Sequence, residues 1–351
     1  MVFKFKLMAL AALVAGLSAC GGGGSEPATP NPVSGSPALS SPVTASPAPP
    51  APTSTPSSTY ATGSAEKAMF EKLNLIRISG GFGGITQSPL IDLAAKAHAI
   101  YISINYLSNG SVLPQAQTIQ ADGTLTPHTE TIGATGFTGS RVVNRVMATG
   151  YSQVTVGEVI GLPYSTFQSL KTDTSTCLDG LIGTVFHRAT LLDTAVQEVG
   201  IGFGPESLRA DGAYGVKPCV LDFGSQYAPR ALPQGWIGIY PFDGQRDVAA
   251  RMVVLEVPDP VPGVPVKGMP ISFQTATGQT LVVNTFTLQD AAGSIVAGTL
   301  LTRAQSIYLR PNEAYFVPTG ALMPKTNYTV SFKGTSSGLP VSKARSFTTA
   351  L

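Results

Sequence analysis

Apolar positions recur with two different periods along this chain, and the change from one to the other divides it. In residues 65–78, AEKAMFEKLNLIRI, Met69, Leu73 and Ile76 fall at the three-to-four spacing of an amphipathic helix, with Ala68 and Phe70 beside them, and Ser79-Gly80-Gly81 stops it. A second helix is predicted over 88–107, with Pro89 in its first turn and Leu90, Leu93, Ala94, Ala97, Ile100, Tyr101 and Ile104 on its inward side. A short third helix covers 140–150, with Val142, Val143, Val146 and Met147 apolar and Gly150 at its end. Residues 181–203, LIGTVFHRATLLDTAVQEVGIGF, read as a buried helix that runs into a glycine-punctuated strand, and a later strand begins at Cys219.

Beyond residue 265 the pattern changes to strands only. The runs ISFQTA, TLVVNTFTL, SIVAGTLL, SIYLR, AYFVPT, NYTVSFKG and ARSFTTA are parted by Gly, Pro, Asn or Asp turns, which predicts about seven short strands in an antiparallel sandwich. The stiff segment PDPVPGVP, 258–265, reads as a linker between the two regions.

The first 62 residues fit neither pattern. Residues 1–20 set Lys4 and Lys6 ahead of an apolar run that ends in small residues, which is the pattern of a secretion signal. Its apolar core is too short for the roughly 20 residues that span a bilayer. Leu17-Ser18-Ala19-Cys20 resembles the lipobox of bacterial lipoproteins. That resemblance implies acylation of Cys20, a membrane partner reached through the N-terminal lipid, and a place in the cell envelope facing outside the cytoplasm, at the outer membrane in a Gram-negative host. Residues 21–62 are dominated by Gly, Pro, Ser, Thr and Ala and predict a disordered tether. The expected organisation is signal 1–20, tether 21–62, first domain 63–257, linker 258–265 and β-sandwich 266–351.

Charge narrows the partners. Without Lys4 and Lys6 the chain carries 20 basic and 20 acidic residues, so no nucleic acid is expected. Of three cysteines, Cys177 and Cys219 remain once Cys20 is assigned to lipid, and an even pair in an oxidising compartment predicts a disulfide. The chain has three histidines. His98 falls inside the second helix and reads as a packed structural residue, apart from any site. His128, in PHTE, and His187, in the 181–203 stretch, are read with Glu158, in VGEVIG, as one site. Two imidazoles and a carboxylate are ordinary ligands for a divalent cation such as zinc, though the spacing lacks the regularity of H-E-x-x-H. They also suit a ligand cleft, or a general acid and base with Glu158 steering an imidazole. No G-x-S-x-G is present, and neither Cys177 nor Cys219 has a histidine beside it in sequence, so a nucleophile is missing. Trp236, the single tryptophan, reads as packed between the domains.

The order of elements resembles the CAP superfamily of cysteine-rich secretory, antigen 5 and pathogenesis-related 1 proteins, in its bacterial SCP form. The matching residues are LNLIR (73–77), LIDLAAKAHAIYIS (90–103), the loop histidine His128, Arg145 to Tyr151 as R-x-x-x-x-G-Y, Gly157-Glu158-Val159-Ile160 with Val159 for the usual Asn, His187-Arg188, and Val199-Gly200-Ile201-Gly202-Phe203. The resemblance implies an α+β protein whose first domain is a three-layer α-β-α sandwich, with a cleft lined by His128, His187 and Glu158. The family's second acid has no clean counterpart: Thr184 stands in its region, and Asp179 and Glu198 are the neighbouring candidates. The C-terminal region resembles bacterial Ig-like modules, through Pro324 to Val330 and the closing Phe347-Thr348-Thr349. The function implied is binding of a small ligand or envelope polymer (lipid, sterol, glycan or protein) in the cleft. A metal site and a hydrolase acting on envelope material stay open behind it.

Overall fold

The computed structural model describes residues 46–108, 110–112, 126–166, 175–208, 210, 214–252 and 256–351. The signal segment, Cys20 and the tether up to residue 45 lie outside these. Helix α1 (Ala65–Ser79), strand β1 (Thr86–Gln87) and helix α2 (Pro89–Asn105) lead into a hairpin of β2 (Leu107–Ser108) and β3 (Ser111–Val112). Helix α3 (Val142–Ala148), strands β4 (Thr155–Gly161) and β5 (Tyr164–Thr166), and helices α4 (Ser175–Ile182) and α5 (Phe186–Leu191) follow. Next come β6 (Glu198–Phe203), β7 (Ser207–Leu208), β8 (Tyr214–Val216), β9 (Cys219–Ser225), β10 (Gly238–Tyr240) and β11 (Gln245–Val248). The chain ends with β12 (Ile271–Gln274), β13 (Leu281–Gln289), β14 (Gly298–Thr302), β15 (Glu313–Pro318), β16 (Asn327–Ser336) and β17 (Leu339–Thr349), an α+β composition.

The first sheet has the order β1-β6-β9-β4, with β1 parallel to β6 and the other pairs antiparallel. Because side chains alternate along a strand, Val199, Ile201, Leu221, Phe223 and Val159 share one core with α1 and α4. Ile160 and Val220 instead meet Ala95, Ala99 and Ile102 of α2. Ser64 caps α1 by accepting from the Lys67 amide at 3.1 Å, and Gly81, at φ +85°, turns the chain out of it.

Helix α2 turns a different face inward from the one the apolar pattern selects. Ile91, Ala94, Ala95, His98, Ala99, Tyr101 and Ile102 are buried, whereas Leu90, Leu93 and Ile104 are exposed. The helix is apolar on nearly every side, so periodicity does not choose. The choice is made by β6: a Cβ at Gly200, Gly202 or Gly204 would strike the backbone of α2, and only a glycine edge lets the alanine face lie this close. The stretch from 181 is likewise two helices rather than one, broken at Gly183-Thr184-Val185. A disulfide joins Cys177 on α4 to Cys219 on β9, with Cα atoms 6.8 Å apart.

Two buried polar residues of α1 fix the loops around it. Asn74 bonds Phe70 and Ile85 carbonyls and the Ile85 amide, and Arg77 donates to Gly83, Leu191 and Asp193 carbonyls at 2.7 to 3.2 Å. Burial lowers the Arg77 pKa to about 10 despite Asp193 nearby. The end of α5 is thereby tied to α1.

The C-terminal region forms two four-stranded sheets, β10-β12-β15-β14 and β11-β17-β16-β13, around Phe273, Phe286, Phe332 and Phe347. Strands β10 and β11, which sequence reading groups with 63–257, are built into these sheets through β12 and β17. SIYLR is not a strand but part of the loop between β14 and β15. The two regions are packed together, and Thr44–Leu351 form one compact unit. Arg188, fully buried, donates to the Ile182 and Pro270 carbonyls at 2.7 and 2.6 Å and lies 4.6 Å from the Tyr240 ring centroid. Asp193 forms an ion pair with Arg310, and Val185 and Ala189 share a core with Leu301, Leu309, Tyr315 and Val317. Trp236 packs edge-on to Phe82 and donates to the Gly81 carbonyl, while its own carbonyl accepts from Thr275.

Residues 46–62 run along this unit as a strap. The carbonyls of Ser46 and Pro52 accept from the Ala228 and Gly84 amides at 3.0 and 2.8 Å, Thr59 bonds Gln87, and Tyr60 donates to Asp92 at 2.5 Å. Proline removes donors but leaves carbonyls and a preset extended backbone. A segment too polar to build its own core still lies along another's surface, so this part of the expected tether is ordered.

Candidate functional site

Strand β4 is the edge of the first sheet, and the site is built along that edge. Glu158 stands on it with its side chain buried, and His128 comes from the segment between β3 and α3. The His128 Nδ1 lies 2.8 Å from Glu158 Oε1. The carboxylate only accepts, so in the neutral ring the proton is on Nδ1 and the lone pair on Nε2. The other carboxylate oxygen is paired with Arg145 of α3, whose Nη1 also reaches the His128 carbonyl at 3.3 Å.

Beneath this pair lies a second layer of charge. His98 is fully buried, with Nδ1 2.8 Å from Glu130 and Nε2 2.9 Å from the Pro127 carbonyl. Its Nε2 is also 3.8 Å from Glu158 Oε2. His98 is therefore packed, as its helical position suggests, yet it stands under the site rather than apart from it. Glu130 accepts further bonds from the Thr138 and Gly139 amides. Burial opposes its charge, but these donors and His98 hold its carboxyl below the usual range. For Glu158 burial again acts against ionisation; Arg145, His98 and His128 outweigh it and hold the group well below the usual carboxylate range. Asp222 faces Glu158 across the β4–β9 ladder. It is fully buried, and burial and the Glu158 carboxylate beside it push its pKa well up.

His187 enters from the other side, on α5. Its Nδ1 is 3.0 Å from Thr184 Oγ1 and 3.0 Å from Glu256 Oε1. Thr184 itself donates to the Leu181 carbonyl, so it accepts from the ring. Glu256 accepts the amides of Val185, Phe186 and His187 at 2.7 to 3.0 Å and fixes the start of the helix. It is the second acid of the site. Asp179 is instead paired with Lys72, and Glu198 accepts from Tyr151. Sequence reading misses Glu256 because it stands 69 residues after His187, at the end of the apolar run before the linker. The available signal is a lone carboxylate among RMVVLEVP.

His128, Glu158 and His187 line one cleft of about 220 Å³ together with Val159, Phe186, Thr190, Glu256, Val257, Pro258 and Tyr308. Tyr308 belongs to the C-terminal region and packs on Phe186, ring centroids 5.5 Å apart. Each imidazole is held at Nδ1, His128 by Glu158 and His187 by Thr184 with Glu256 close by, and Nε2 of both rings has no partner among the described residues. Among those residues no group of three or more His, Cys, Asp or Glu is placed to hold a metal ion. In this arrangement Glu158 is bonded to His128 and paired with Arg145. No described helix is long and apolar enough to cross a membrane.

No family model matches the sequence, and no curated protein is significantly similar to it. Among solved structures it is similar to an extracellular protein containing an SCP domain from Bacillus anthracis, at 16% identity, 46% coverage of this chain, 40% of the other and a TM-score of 0.29. It is also similar to an outer surface protein of Borrelia burgdorferi, at 14% identity, 47% and 96% coverage and a TM-score of 0.31. The chain spans two fifths of the length of the first. Scores this low carry no weight for fold or activity.

Proposed function

We propose that this is an extracytoplasmic ligand-binding protein: a CAP-like α-β-α sandwich, fused to an Ig-like β-sandwich and anchored through a lipid on Cys20, that holds its ligand in the His128–His187 cleft. One observation carries the reading. Two imidazoles from separate elements open on the same cleft, each held at Nδ1, His128 by Glu158 and His187 by Thr184 with Glu256 3.0 Å away. Paired, oriented acceptors beside an apolar wall are what a binding site needs to fix a ligand's direction. The three-layer label is supported by the alternation of β6 and β9 residues between α1 with α4 and α2. The Ig-like label is supported by the two facing sheets of 238–349.

The experiment is heteronuclear NMR of the histidine rings during titration with a fatty acid, a sterol and neutral oligosaccharides. A true ligand moves the His128 and His187 signals together and fails to bind His187→Ala. Titrations in which no class moves either ring would overturn the proposal. A hydrolase reading draws on the His128–Glu158 pair, whose geometry suits a general base. Turnover of envelope polymer that disappears in His128→Ala would favour it. A zinc site would need a donor besides the two Nε2 atoms, and calorimetric zinc binding abolished in His187→Ala would be its sign.

A further inference from the structure

Building on the ligand-binding reading of the cleft, we infer that its occupant is a neutral sugar ring, and that Tyr308 of the C-terminal sandwich is the residue that stacks on it and sets specificity. Of the ten lining residues none is Lys or Arg, and Arg145 below is occupied by Glu158, so among the described residues no lysine or arginine answers a phosphate, sulfate or carboxylate. Four of the ten are His or Glu, so polar groups interrupt the apolar part of the wall. The polar atoms left without a partner among the described residues are the two Nε2 atoms, which accept when the rings are neutral. Sugar hydroxyls donate to such groups, and the C–H face of a pyranose is left for an aromatic surface.

Tyr308 offers that surface. Tyr308 lines the cleft and is 44% exposed as a residue, its ring tilted 56° against Phe186. The loop that carries it is braced before any ligand arrives: Arg303 donates to the Ile307 and Leu309 carbonyls, and the Thr302 amide and hydroxyl bond Gln305. A preordered aromatic loses little conformational freedom on binding. The Asp193–Arg310 ion pair ties the loop to the segment that follows α5.

The test uses full-length protein, with maltotriose and tri-N-acetylglucosamine as neutral probes and laurate as the apolar one, reading histidine-ring shifts and dissociation constants. A saccharide should move both rings, and Tyr308→Leu should weaken it about tenfold, the scale of one aromatic stacking contact. Tyr308→Phe should stay within about twofold, since it keeps the ring. Unchanged affinity in Tyr308→Leu would overturn the stacking role while the cleft reading stands. Ring shifts with laurate alone would overturn the sugar class and again leave the cleft reading standing. No shift with any probe would end both.

Discussion

Replacement of Glu313 by Gln tests the electrostatics of the contact between the two regions. Glu313 is 1% exposed and faces the Arg310 amide, at 3.0 Å, and the Arg310 guanidinium, at 3.6 Å. Burial, aided by Asp193, raises its pKa from 4.5 to about 7 against the pull of Arg310. Below 4.5 the carboxyl is protonated in folded and unfolded chains alike; between 4.5 and 7 only the folded chain keeps the proton. Stability therefore falls as pH rises through that window, and is fully reduced above it. At about 1.4 kcal/mol per pH unit the loss is about 3 kcal/mol. Glutamine keeps the shape and cannot ionise, so Glu313→Gln should gain about 3 kcal/mol on wild type between pH 4.5 and 8. Urea unfolding followed by the fluorescence of Trp236, at pH 4.5, 6 and 8, measures it. Two curves that stay parallel across this range would refute the assignment of that burden to Glu313.

The Glu158→Gln variant should lose about 3–5 kcal/mol at pH 7, because Arg145 is left buried without its carboxylate; a thermal melt within about 1 kcal/mol of wild type would show that other groups hold Arg145. The Glu158 contribution has the opposite sign to that of Glu313, present above the usual carboxylate range and lost in acid. Asp222→Asn should raise the melting temperature more at pH 8 than at pH 5, since it removes a buried carboxyl set against Glu158, and a larger gain in acid would contradict this. Removing the Cys177–Cys219 bridge by double replacement with Ser opens a 42-residue closure and should cost about 3–4 kcal/mol by chain entropy, measured by denaturant midpoint.

Much of the first region can be read from sequence where one face alone is apolar. The three-to-four pattern of α1 identifies Met69, Leu73 and Ile76, all buried. In α2 it fails, because Leu93 and Ile104 are as apolar as Ile91 and Ile102, and the deciding glycines stand about a hundred residues later in β6. Of the site, His128, Glu158 and His187 are legible as polar residues bordering apolar runs, and the structure sets all three around one cleft. Glu256 and Tyr308 are not, since each reaches the cleft only through long-range packing: one by capping α5, the other from a run whose alternation reads as strand. His98 and Glu130 are hidden for a related reason, that burial inside a helix and a hydrogen-bonded loop does not reveal which carboxylate lies beyond them.

The exchange of β10 and β11 into the C-terminal sheets bears on how such a chain could be inherited. A gene fragment cut at the proline-rich segment 258–265 would strand those two strands on the wrong side of the cut, with their partners β12 and β17 on the other. It would also part Arg188 from the Pro270 carbonyl and Phe186 from Tyr308. The unit that recombination can move intact is thus larger than the stretch that carries the histidines. Shuffling either half onto a new neighbour would have to reinvent the seam as well as the join.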